Sequence, residues 1–83
     1  MTSAEQTLSI RQMKLLQVVA EGAGKWDARW IDITMTTRHG AGEVTVLREL
    51  QGLERLGLVV CDLSGSGVGG RWRVTSEAHV YLD

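Results

Sequence analysis

Little in this sequence is available for redox, metal or membrane chemistry. Its single cysteine, Cys61, lies in an apolar run, where a small packed side chain is the expected reading ahead of a reactive thiol. The cysteine and the two histidines, His39 and His79, fall in three separate stretches, without the spacing of a zinc site. The carboxylates are scattered, and no Ser/His/Asp arrangement is suggested. We therefore expect no enzyme, no metal and no cofactor. No run approaches the roughly 18 apolar residues of a membrane span, and the N-terminus carries no recognisable secretory leader. A cytoplasmic protein without a membrane partner is the expectation.

An excess of positive charge is also lacking. Nine basic and ten acidic residues give a net charge of −1 and a pI near 6.1, whereas a dedicated DNA-binding domain is usually basic. Residues 1–24 and 25–57 each balance to zero, and 58–83 sum to −1. An anionic partner would have to be met by local placement of charge. At 83 residues there is material for one core and not for two. The expected organisation is a mobile lead over residues 1–7 and one domain over 8–83.

What is present is concentrated between Glu43 and Thr75. Residues 43–56 carry a helical pattern. At about 100° per residue, Val46, Leu47, Leu50, Leu53 and Gly57 fall on one arc. Val44, Thr45, Arg48, Gln51, Gly52 and Arg55 fall on the opposite arc, which has no acid. Glu49 and Glu54 lie on the flanks. Thr45, Arg48 and Gln51 can hydrogen-bond base edges or phosphates in a major groove; the plain alternative is an ordinary solvated face. Gly57 should stop the helix as a C′ residue.

Two short strands follow. The run from Leu58 to Leu63 is apolar and β-branched, and Arg71 to Thr75 alternates. Trp72 and Val74 should point to the core, with Arg71, Arg73 and Thr75 outward. Between them Gly65-Ser66-Gly67-Val68-Gly69-Gly70 reads as an uncharged hairpin tip. Gly65, Gly67 and Gly70 also spell G-x-G-x-x-G, but a dinucleotide loop needs a helix to open after the glycines. A strand follows instead, so this is a hairpin.

Upstream, Ser9 and Gln12 fit a capping box, with Leu8 and Met13 as its hydrophobic staple. Met13, Leu16, Val19 and Ala20, with Leu15 to one side, form the expected buried stripe. Arg11, Lys14, Val18 and Glu21 lie opposite, and Gly22 and Gly24 end the helix. Residues 27–37 read two ways. As a strand, Ile31, Ile33 and Met35 alternate with polar residues, and the β-branched content favours this. As a helix capped by Asp27, Ala28, Ile31 and Met35 align. We take the helix, because a recognition helix needs a bracing helix before it. Arg38 to Gly42 then form the turn between them, and Trp26 and Trp30 sit in the core or at its rim rather than stacking on bases.

Thr45 to Val59, followed by Gly70 to Ala78, resembles winged helix-turn-helix bacterial regulators, most closely the N-terminal domain of the PadR-like family. Leu50, Leu53, Gly57, Leu58 and Val59 match that family's Leu-x-x-Leu-x-x-x-Gly-Leu-Val helix ending. Trp72, Arg73, Val74 and Thr75 match its closing wing strand. The resemblance spans roughly residues 8–78 and is specific over only about 25 positions, mainly core-forming ones that speak to fold before function. It implies an α+β winged helix: three helices, a two-stranded hairpin wing and a short C-terminal helix. It also implies that Thr45 and Arg48 meet the major groove while Arg71 and Arg73 serve the wing. Two departures stand out. The family has an aromatic where this sequence has Leu47, and it extends the stretch opened by Thr75, Ser76 and Glu77 into a long dimerisation helix.

The expected function is a DNA-binding transcriptional regulator that reads the major groove with helix 43–56 and touches backbone or minor groove with wing 64–73. The candidate contacts are Arg38, His39, Val44, Thr45, Arg48, Gln51 and Arg55 in the turn and helix, Ser66 at the hairpin tip, and Arg71 and Arg73 at its base. Double-stranded DNA is the first partner, with a second copy of the chain as a further one. The alternative is a small phage or mobile-element winged helix that binds a host protein, which the neutral charge and the valines Val18, Val44 and Val68 favour.

Overall fold

The computed structural model of the chain describes residues 8–62 and 70–82. The expected N-terminal lead and most of the hairpin tip, with Ser66 and Val68, lie outside them. The protein is α+β. Three helices, α1 (Ile10–Gly22), α2 (Ala28–His39) and α3 (Val46–Arg55), precede an antiparallel pair, β1 (Val59–Asp62) and β2 (Arg71–Val74). A 3-10 turn (Ser76–Ala78) and a short helix α4 (His79–Leu82) complete the winged-helix-like order.

Each of α1, α2 and α3 starts where a side chain satisfies one of its first free amides. Ser9 and Gln12 make the expected reciprocal capping box on α1. Asp27 accepts from the Trp30 amide at 2.9 Å on α2, and Thr45 accepts from the Arg48 amide at 3.3 Å on α3. The helix over 27–37 is therefore real, against local β propensity. Ile31 and Met35, one turn apart, are both buried, whereas Ile33, which a strand would have placed beside them, is exposed. The Thr34 hydroxyl donates back to the Trp30 carbonyl at 3.0 Å, so this β-branched residue is accommodated inside the helix.

Two expectations for α1 are corrected. Val18 is buried with Leu15, Leu16 and Val19, because α1 is covered on two sides, by α2 and α3 and by β2. The buried arc is wider than the stripe read from the sequence, and Met13 and Ala20 lie at its edge, half-buried. Gly22 is the last residue of the helix as expected, but Ala23 and not a glycine takes the left-handed cap position, at φ 52°. Gly22 is small because Trp26 lies on it: a Cβ there would stand 2.7 Å from the indole ring.

The end of α3 is as expected. Gly57, at φ 81°, donates to the Glu54 carbonyl at 3.0 Å while Leu58 donates to Leu53 at 3.1 Å. This is a complete Schellman motif. It turns the chain straight into β1, whose register pairs Val59 with Val74, Val60 with Arg73, Cys61 with Trp72 and Asp62 with Arg71. Thr75, expected to point outward, is half-buried and clips this corner. Its amide donates to the Leu58 carbonyl at 2.9 Å and its hydroxyl to the Gly57 carbonyl at 2.7 Å. The loop before α2 adds to the sheet: Trp72 donates to the Trp26 carbonyl at 2.9 Å, and Asp27 forms a single antiparallel bridge with Arg71.

The core gathers Leu15, Leu16, Val18 and Val19 of α1, Ile31 and Met35 of α2, and Val46, Leu50 and Leu53 of α3. Leu58, Val59, Trp72 and Ala78 close it. Each large side chain buried here stabilises the fold by about 1.5–3 kcal/mol before entropic costs. Trp26 and Trp30 stack at a tilt, with ring centroids 6.1 Å apart; Trp26 packs on the core and Trp30 is largely exposed. Among the described residues, no helix is long and apolar enough to cross a membrane.

Candidate nucleic-acid interface

The helix expected over 43–56 is shorter, Val46–Arg55. Val44 and Thr45 precede it, because the Thr45 hydroxyl is its cap. Within α3, Val46, Leu50 and Leu53 face inward, so the opposite arc carries Arg48, Gln51, Gly52 and Arg55. Arg48, Gln51 and Arg55 are exposed. Leu47, placed on the buried arc by its spacing, is instead 47% exposed. It lines a cleft between the start of α2 and the hairpin base, where it is only partly covered.

The two acids of α3 leave the outward arc by different routes. Glu49 turns to α1, where Arg11 holds it: Nε lies 2.8 Å from Oε2 and Nη2 3.3 Å from Oε1. Arg11 also donates from Nη1 to the Gly40 carbonyl at 2.9 Å. Its guanidinium lies so close to Gly42 that a Cβ there would meet Nε at 2.7 Å. One arginine thus ties α1, the α2–α3 connection and α3 together. Glu54 turns to the hairpin flank, where it faces Cys61. Burial above all, then the charges of Glu54 and Asp62, raise the Cys61 thiol above its usual 9.0, which favours its protonated form.

The remaining candidates are dispersed. Arg38, in the last turn of α2, is engaged by Glu21 of α1, with Nη1 2.8 and 2.7 Å from the two carboxylate oxygens. This hydrogen bond holds the Glu21 carboxyl below its usual value, although both partners are about half exposed (46% and 47%). His39 is exposed beside it. Arg71 and Arg73 are exposed on β2 as expected. Arg73, however, lies against the α1–α2 connection, 3.6 Å from a Cβ position on Gly24, and Arg71 sits in register between Asp62 and Asp27. Arg48 and Arg55 share the outward face of α3, whereas Arg71 and Arg73 stand on β2.

The sequence reading missed Arg29. It is exposed in the first turn of α2 and lines, with Ala28, Leu47, Cys61, Gly70 and Trp72, a cleft of about 300 Å³ between α3 and the hairpin base. No sequence signal marks it, because its nearness to α3 exists only in the fold. Among the described residues, no group of three His, Cys, Asp or Glu side chains is placed to hold a metal ion. Comparison with known proteins gives no match to a family model, a curated protein or a solved structure.

Proposed function

We propose that this protein is a DNA-binding regulator that lays the outward face of α3 in the major groove. The observation that carries the reading is the acid-free arc of Arg48, Gln51 and Arg55, all exposed, with Glu49 drawn away by Arg11. Local charge on that arc is positive although the whole chain is slightly acidic. Arginine and glutamine are side chains that pair with guanine and adenine edges or with phosphates. Arg29, which lines the cleft at the hairpin base together with Leu47, stands beside α3 where a phosphate backbone would pass.

Fluorescence anisotropy of a mixed-sequence duplex at about 50 and 200 mM salt tests this, since phosphate-driven binding falls steeply over that range. Micromolar or tighter binding that collapses at the higher salt, and weakens about tenfold in Arg48→Ala, supports the reading. Absence of binding at the lower salt rejects it.

One observation favours a protein partner instead. Leu47, in the first turn of α3, and Val44, just before its cap, are 47% and 46% exposed, and the cleft beside Leu47 is largely apolar in its lining. A host protein docking there would be displaced by Leu47→Asp and indifferent to salt.

A further inference from the structure

Two glycines lie inside helices, and only one has an internal reason to be glycine. At Gly22 a Cβ would strike the Trp26 ring at 2.7 Å. At Gly52 a Cβ would meet nothing within 4 Å among the described residues, and the residue does not have a positive φ. Neither packing nor backbone conformation requires glycine at Gly52. After proline, glycine is the least favourable residue for a helix interior, so the free protein would be more stable with alanine there. Among the described residues nothing fills the space a Cβ would take at Gly52, so that space is open to a partner.

Gly52 sits between the two exposed arginines of the outward arc. Arg48 is four residues before it and Arg55 three residues after, so both are its neighbours on the helix surface. They stand about 6 Å and about 4.5 Å away along the axis. We propose that Gly52 is a notch in which one phosphate of a duplex backbone seats directly against α3, bracketed by the guanidinium groups of Arg48 and Arg55. The mid-helix amides are already used, so the notch supplies room and the arginines supply the donors. This rests on the DNA reading above. It adds that the helix backbone itself comes within contact distance of the strand, closer than a methyl group allows.

The test is Gly52→Ala, followed by thermal unfolding and by duplex anisotropy across a salt series. The expected result is a melting temperature raised by several degrees together with duplex affinity weakened at least tenfold. The slope of log K against log salt should also become shallower by about one, the signature of one lost phosphate contact. Higher stability with affinity within twofold of the parent protein would show that nothing approaches Gly52 and overturn the proposal. Weaker binding with an unchanged slope would mean that a group other than phosphate lies there, and also overturns it. A lowered melting temperature would reveal an internal reason for the glycine and remove the premise. If the parent protein itself shows no salt-dependent duplex binding, the DNA reading fails and takes the notch with it.

Discussion

Arg11 and Glu49 stand 38 residues apart in sequence and form a two-pronged ion pair in the fold, with Nε 2.8 Å from Oε2. The pair is mostly shielded from water, with 25% and 13% of the two side chains exposed. It fixes the angle of α3 on α1 and also neutralises an acid that would otherwise stand beside the proposed DNA-binding arc.

Arg11→Met should therefore act twice. Loss of charged, part-buried hydrogen bonds should cost about 1–3 kcal/mol, read as a lower urea midpoint. Duplex affinity should also fall, because Glu49 is left uncompensated near Arg48. The double variant Arg11→Met/Glu49→Gln should recover much of the affinity. If it does not, the neutralising role of Arg11 is wrong.

Gly22→Ala should destabilise the protein by about 1–3 kcal/mol through overpacking, since the new methyl meets the Trp26 ring at 2.7–2.9 Å. The same substitution at Gly52 should do the opposite. Comparing the two melting temperatures checks both statements at once, and an equal shift for both would contradict the packing described for Trp26.

Thr75→Val keeps the shape of the side chain and removes its hydrogen bond to the Gly57 carbonyl. A loss of about 0.5–1.5 kcal/mol is expected, with Thr75→Ser closer to the parent. Hydrogen exchange should show the loss as faster opening of the β1–β2 pair; unchanged protection there would separate Thr75 from the α3–β1 corner.

The Glu21–Arg38 pair gives a pH-dependent prediction whose sign is fixed. The hydrogen bond from Arg38 lowers the Glu21 carboxyl below its usual 4.5. The pair's contribution is thus complete above pH 4.5 and disappears as pH falls through the lowered value. Both groups are solvated, so the effect on stability should be small. Glu21→Gln should remove that acid dependence and free Arg38, strengthening duplex binding by about two- to threefold at low salt. Weaker binding in this variant would exclude Arg38 from the interface.

Cys61 should react slowly with iodoacetamide in the native state. Burial and the charges of Glu54 and Asp62 hold the thiol above its usual 9.0, so little thiolate forms near neutral pH. Unfolding in urea should speed the reaction at pH 8, and equal native and unfolded rates would refute the shielding inferred for β1.

Local chemistry in the sequence decided where elements begin and end. Ser9 with Gln12, Asp27 and Gly57 each act within a few residues of themselves, so capping and the left-handed stop could be read directly. The periodicity of α3 and the alternation of Arg71, Trp72 and Arg73 were equally legible, because each depends on one face being buried. Residues 27–37 read as strand or helix, and tertiary burial of Ile31 and Met35 together decided for helix. Val18 went inside and Leu47 outside because burial depends on which neighbours arrive, and a helical wheel contains no neighbours. The same holds for charge. Arg11, Arg38 and Arg71 look alike in sequence; only the fold brings Glu49 to the first, Glu21 to the second and two aspartates alongside the third. Arg48 and Arg55 face outward, and among the described residues no acid is shown paired with either.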